Sequence, residues 1–168
     1  FGRYFFGGSV FVFSKLPSFD GFQGKADITL GNYGLTKVRG SFNTPLSSKI
    51  ATRNSFVITD RDGFTDNIIN GEDLDDANNV SFRSDWLFDI NENSTLRLFF
   101  QYFDADNNGA AMKGLDDKTP NPRKLAQDSM SDYQLTSEVF GLIYETDLGP
   151  ASLKILASSQ EDDIYVMR

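Results

Sequence analysis

The run Asp104-Ala105-Asp106-Asn107-Asn108-Gly109 sets oxygen donors at alternate positions and a glycine at the sixth. That is the opening half of a calcium loop of the D-x-D-x-N-G kind. The twelfth position is Leu115, where such a loop needs a bidentate carboxylate. Asp104, Asp106 and Asn108 are therefore a partial calcium site, and a polar turn at the end of a strand gives the same string. A second concentration of acid lies in 60–78, with Asp60, Asp62, Asp66, Glu72, Asp73, Asp75 and Asp76 against Arg61 alone. Such a loop can hold a divalent cation, repel an anionic ligand, or simply be solvated. On the basic side, Arg39, Arg53, Arg83 and Arg97 can hold an anion or pair with carboxylates. The chain has no histidine and no cysteine, which removes the Ser-His-Asp triad, thiolate chemistry and the usual zinc site. Ser158-Ser159 has no base beside it, and the adjacent acids Asp75-Asp76 and Asp162-Asp163 point to opposite faces if extended. No catalytic constellation stands out, and the expectation is a protein that is not an enzyme and needs no cofactor beyond possible calcium.

The elements that carry these residues have a period of two. Seven strands are expected at about 22–31, 34–45, 49–60, 79–90, 95–104, 133–146 and 151–165. In the fourth, Val80, Phe82, Trp86, Phe88 and Ile90 share one phase, and Ser81, Arg83, Asp85 and Asp89 the other. In the fifth, Leu96, Leu98, Phe100 and Tyr102 oppose Arg97 and Gln101. Each strand thus has a greasy face and a polar face. Lys25, Asp27, Lys37, Arg39, Arg53, Arg83, Asp85, Asp89, Arg97, Glu138 and Lys154 are assigned to the polar phase, with Glu145 as the exception. At 168 residues the chain is one domain, and its net charge of −8 argues against a general nucleic-acid partner.

No run of about 18 apolar residues is present, but a transmembrane strand needs only about 10 residues of alternating character. The expected strands run longer than the 5–6 residues usual in soluble sheets. Their connections alternate: 31–34, 45–48, 91–94 and 147–150 are short, while 61–78 and 105–132 are long. Short turns at one end and long loops at the other are the asymmetry of outer-membrane barrels. The fold expected is all-β, an antiparallel up-and-down meander forming part of a large transmembrane β-barrel. Trp86, Phe88 and Tyr102 then face lipid, the first two near the short-turn end where an aromatic girdle belongs.

The N-terminal piece differs. Gly7-Gly8 is a turn signal, Ser9 to Phe13 is apolar on both phases, and Lys15-Leu16-Pro17 ends the run. Phe1-Gly2-Arg3, Gly7-Gly8, the short apolar strand and Ser14-Lys15-Leu16-Pro17 together resemble the last strand of the plug domain in TonB-dependent outer-membrane receptors. Gly31-Asn32-Tyr33-Gly34, Val38-Arg39-Gly40, Asn43 and Pro45-Leu46-Ser47 look like the first barrel hairpin of that family, and Arg61-Asp62-Gly63-Phe64 with Asn67 like the top of its third strand. Tyr4-Phe5-Phe6 departs from the small polar residues the family has there.

The resemblance implies residues 1–17 as the C-terminal end of a plug domain and 18–168 as the N-terminal part of a 22-stranded barrel, so that the chain is a fragment. It implies an active transporter in the bacterial outer membrane that imports a scarce nutrient such as a ferric siderophore, energised through TonB. The partners implied are the outer-membrane bilayer, a small-molecule ligand, and TonB acting through a plug segment not in this sequence. Arg39, Arg53, Arg83 and Arg97 then face the lumen, toward ligand or plug. Two other readings remain: a small standalone outer-membrane barrel serving as adhesin or surface protein, and a soluble β-sandwich that binds calcium or carbohydrate.

Overall fold

The computed structural model describes residues 14–129 and 131–167. The plug-like motif at 1–13 and the two-sided apolar strand expected within it lie outside the described residues. Ten strands form, and no helix is present among the described residues. They are β1 (Gln23–Leu30), β2 (Thr36–Pro45), β3 (Ile50–Arg61), β4 (Thr65–Asn67), β5 (Asp73–Leu74), β6 (Ala77–Asn91), β7 (Ser94–Asn107), β8 (Lys124–Leu125), β9 (Asp132–Asp147) and β10 (Ser152–Met167). The seven long ones make one open sheet in the order β1-β2-β3-β6-β7-β9-β10, every neighbouring pair antiparallel. This is an up-and-down meander, and its elements match the seven expected strands. Several run one to three residues further, to Arg61, Asn91, Asn107 and Met167. The extra residues are mostly polar, so alternating hydrophobicity fades before the backbone ladder ends.

Directly paired residues share a face. Ile28, Val38, Ile58 and Val80 form one such row. Phe56, Phe82 and Tyr102 form the next, and Trp86, Leu98 and Leu142 another. On the opposite face, Arg53, Asp85, Phe99 and Gly141 align in a single row. The apolar face is bare among the described residues: Phe22 is 70% exposed and Phe140 55%. Its aromatic rings pack on one another, with Phe100 and Phe140 centroids 4.7 Å apart. Asn54 and Ser84, the polar pair in mid-band, satisfy each other at 2.7 Å, and the Trp86 indole donates to Ser84 at 3.0 Å.

Two carboxylates sit on the opposite phase from the one their sequence context indicates. Glu145 lies across from Lys154 and pairs with it at 2.7 Å, on the same phase as Arg97 and Asp85. Glu138 lies across from Tyr102 and Glu161, on the apolar phase. The phase of β9 is ambiguous in sequence because Leu135, Val139 and Ile143 alternate against Phe140, Leu142 and Tyr144, so pairing with β7 decides it.

The upper limit of the apolar band is set by Leu30, Val38, Ile58, Val80, Tyr102, Phe140 and Ala157 on the seven successive strands. Above it the same face turns polar, with Asp60, Asn78, Asp104, Glu138 and Glu161. From β1 to β10 this edge drops eight residues along the strands over six strand steps. With about 3.3 Å per residue and about 4.8 Å between strands, a level band requires strands tilted by about 40°.

The long connections are not structureless. β5-β4-β8 is a second, three-stranded sheet built wholly from 61–78 and 105–132. Asn67, 1% exposed, accepts from Gln127 N at 3.1 Å and donates to its carbonyl at 2.8 Å. Leu74 and Leu125, at 0% and 1%, form a small apolar centre beneath. No periodicity announces this sheet, because its strands are two or three residues long and one pair is parallel. The 45–48, 91–94 and 147–150 turns meet at the other end of the large sheet, where Asp89 N donates to Lys49 O and Asp147 N to Asn93 O, both at 2.8 Å, while the 31–34 turn lies at the loop end, its Tyr33 carbonyl accepting from Asp62 N at 2.9 Å.

Candidate functional site

Mid-sheet, the polar face carries an ionic cluster assembled by strand pairing. Asp85, on β6, is 2% exposed. Its Oδ2 accepts from Arg83 Nε at 2.7 Å and its Oδ1 from Arg97 Nε at 2.8 Å. Arg83 also reaches Gln101 at 2.9 Å. Both guanidinium groups stand over the Phe99 ring, at 4.6 and 5.6 Å from its centroid. Phe99 in turn covers Gly141: a Cβ there would come within 2.1 Å of the ring. Arg53, directly across from Asp85, donates to Ser41 at 2.7 Å. Two of the four sequence-picked arginines, Arg83 and Arg97, are thus brought together on one carboxylate, and Arg53 is its neighbour across the ladder. Arg39 stands apart, paired with Asp27 at 2.7 Å on the exposed end of the same face.

The segment before β1 crosses this polar face. Asn43, 1% exposed, accepts from Ser18 N at 2.8 Å and donates to the carbonyls of Ser18 and Gly21 at 2.9 and 3.0 Å. A cleft of about 270 Å³ separates Ser14 and Lys15 from Arg53, Arg83 and Asp85. The arginines were visible in sequence by type and phase. Asn43 as an anchor for the segment and Phe99 as the plate behind the guanidinium groups needed tertiary contacts to be recognised.

At the loop end a larger cavity, about 520 Å³, opens on the same side of the sheet as the arginines. Arg61, Asn107, Tyr133 and Val166 form its floor from the strand ends, and Phe64, Asp75, Asp76 and Met112 its roof from the loops. Arg61 stacks on Phe64 at 4.9 Å and donates to the Asp75 carbonyl. The Asp75 side chain is committed to the loops, accepting from Thr65 Oγ1 at 2.6 Å and Ala111 N at 3.0 Å. Asp76 accepts from Asn108 N at 2.7 Å. Burial raises the Asp76 carboxyl above its usual value, with the Asn108 N–H working against that rise. In the outer loop, the N–H and hydroxyl of Thr119 and the N–H of Ala126 hold Asp117 down to about 2.

The partial calcium motif is spread out by the fold. Asp104 and Asp106 lie on β7 itself, and Asp104 accepts from Thr136 at 3.0 Å. Asn108 turns to the acidic loop, bonding Asp76 and the Asp73 carbonyl. An extended strand sets alternate carboxylates about 7 Å apart, where a calcium loop curls them round one point. Among the described residues no group of three or more acidic side chains converges at metal-ligating distance. No family model, no curated protein and no solved structure matches the chain.

Proposed function

We propose that this chain forms part of the wall of a TonB-dependent outer-membrane receptor, an active transporter of a scarce nutrient such as a ferric siderophore. One observation carries the reading: the sheet's apolar face is bare, and the limit of its apolar band slants as strands tilted by about 40° require. Transmembrane barrels tilt their strands by about 35–45°, which brings such a slanted limit level with a bilayer. A soluble sandwich would cover that face with a second sheet, and the other sheet among the described residues, β5-β4-β8, is built from the loops at one end. On this reading the polar face lines a lumen, where Arg53, Arg83, Arg97 and Asp85 stay hydrated or meet a plug. Residues 14–21, held by Asn43, would lead from plug to wall. The 91–94 and 147–150 turns would face the periplasm, and the 61–78 and 105–132 loops the outside.

The test is genetic and physical together. The protein should fractionate with the outer membrane. Deleting its gene should abolish accumulation of one member of a panel of radio-labelled ferric siderophores and other scarce nutrients, and so should removing TonB. Recovery in the soluble fraction, or unchanged accumulation of every panel member, would overturn the proposal.

A further inference from the structure

We infer that the cleft between the segment before β1 and the wall binds a small oxyanion, inorganic or the carboxylate of a small organic molecule, through Lys15, Arg53 and Ser55. The inference goes beyond the transport reading and does not rest on it, since it needs only that the polar face meet water. The floor of the cleft is laid by register. Ser41, Ser55 and Arg83 are directly paired in one row, and Arg53 and Asp85 in the next. All five line the cleft. Its volume of about 270 Å³ lies just below the about 300 Å³ at which pockets for drug-sized ligands begin, so it suits a small ion. The roof is set by Asn43, which ties Ser18 and Gly21 to β2 and so holds Lys15 across from this floor.

The sign follows from the balance of the lining. Lys15, Arg53 and Arg83 face one carboxylate, Asp85, whose two oxygens are already taken by Arg83 and Arg97. Arg53 stands directly across the ladder from Asp85, yet its one hydrogen bond among the described residues goes to Ser41. A guanidinium is a fork of donors that matches two oxygens of a carboxylate or phosphate, and most of this fork is unused. Lys15 and the Ser55 hydroxyl make no hydrogen bond or ion pair among the described residues, although both line the cleft. Lys25, in the same row as Ser41, adds to the sign. Other acids of this face are engaged or distant: Asp27 pairs with Arg39, Glu145 with Lys154, and Asp89 lies further along β6 toward the 91–94 turn. Asp20, on the crossing segment, takes the Ser18 hydroxyl and does not line the cleft. A chain of net charge −8 thus gathers positive charge at one place in mid-wall. A cleft lined by one sign concentrates ions of the other.

Phosphate, sulfate and acetate, with choline as the cationic control, are each titrated calorimetrically into the whole protein, dialysed free of oxyanions and held at pH 7.5 and low salt. One saturable site is expected, with the doubly charged phosphate and sulfate bound several-fold more tightly than acetate and the difference narrowing in high salt. Acetate bound best would assign the site to the carboxylate of an organic molecule rather than to a free inorganic ion. Arg53→Gln should weaken the best oxyanion by about tenfold or more. Lys15→Met should weaken it several-fold, and its exposed position keeps the test open if Arg53→Gln does not fold. Arg39→Gln, on the same face but outside the cleft, should bind as the parent protein does. No saturable binding of any oxyanion, choline bound as tightly, unchanged affinity in both cleft variants, or an equal loss in Arg39→Gln would overturn the inference. Oxyanion binding by a protein recovered in the soluble fraction would sink the transport reading alone, and TonB-linked uptake without oxyanion binding would sink the inference alone.

Discussion

Asp85 is the residue on which the polar face turns. Removing its charge leaves Arg83 and Arg97 facing each other across Phe99 with no counter-charge. Asp85→Asn is expected to cost about 3 kcal/mol, within the range for breaking a buried ion pair. Arg39→Gln, which breaks an exposed pair, is expected to cost under about 1 kcal/mol. Urea unfolding of the protein in lipid vesicles measures both, and similar losses would contradict the assigned burial. Asp117 gives a pH signature. Its folded value of about 2 lies below the unfolded carboxylate value near 3.9. Its contribution is therefore full above about pH 4 and is lost as the pH falls toward about 2. The protection of the Thr119 and Ala126 amides, relative to their intrinsic exchange at each pH, should fall across that window, and Asp117→Ala should remove that fall. Asp76 acts with the opposite sign, its raised value favouring the folded loops as the pH falls.

At the scale of elements, the loop sheet and the wall sheet share no ladder, and they are expected to open as separate units. Asn67 links β4 to the 105–132 loop through both its oxygen and its nitrogen. Asn67→Ala should release that loop to protease while leaving amide protection in β6 and β7 intact; loss of wall protection would show that the two sheets fold as one. Within the wall, Gly141 is the tightest contact. A side chain there displaces Phe99 and with it the plate behind two guanidinium groups. Gly141→Val should destabilise by about 1–3 kcal/mol, as overpacking does, whereas Gly71→Ala, with open space around it, is limited to the strain of its φ of 79°.

At the scale of the molecule, what matters is which medium each face meets. The chain has no native cysteine, so single cysteines can be placed at will. Spin labels at Phe56, Phe82, Leu98 and Phe140 should be relaxed by oxygen, which partitions into lipid. Labels at Ser55 and Gln101 should be relaxed by a water-soluble nickel chelate. Leu98→Arg, near mid-band, should cost about 2–4 kcal/mol in a bilayer, and Asp104→Lys, above the band, about 0–1. Equal costs would mean that the band does not sit in lipid. The unpaired edges of β1 and β10 make the same point: a sheet open at both sides is unsuited to a bilayer core, so the proposed wall requires further strands alongside.

The order of residues by itself determined the all-β class, the seven long strands, their meander and the face of nearly every charge, because a period of two leaves little freedom once one face is apolar. It also singled out Arg53, Arg83 and Arg97. Only the tertiary structure decided that Arg83 and Arg97 converge on Asp85, with Arg53 across the ladder, since convergence depends on register, and register is a relation between strands. The same relation reassigned Glu138 and Glu145, whose strand alternates apolar residues on both phases. The loop sheet was hidden for a further reason. Strands of two or three residues have no readable period, and Asn67, Leu74 and Leu125 acquire their roles only when loops some 50 residues apart are folded together. The slant of the apolar band is likewise written in no single strand. It emerges when seven registers are laid side by side, and it is the feature on which the proposed membrane placement rests.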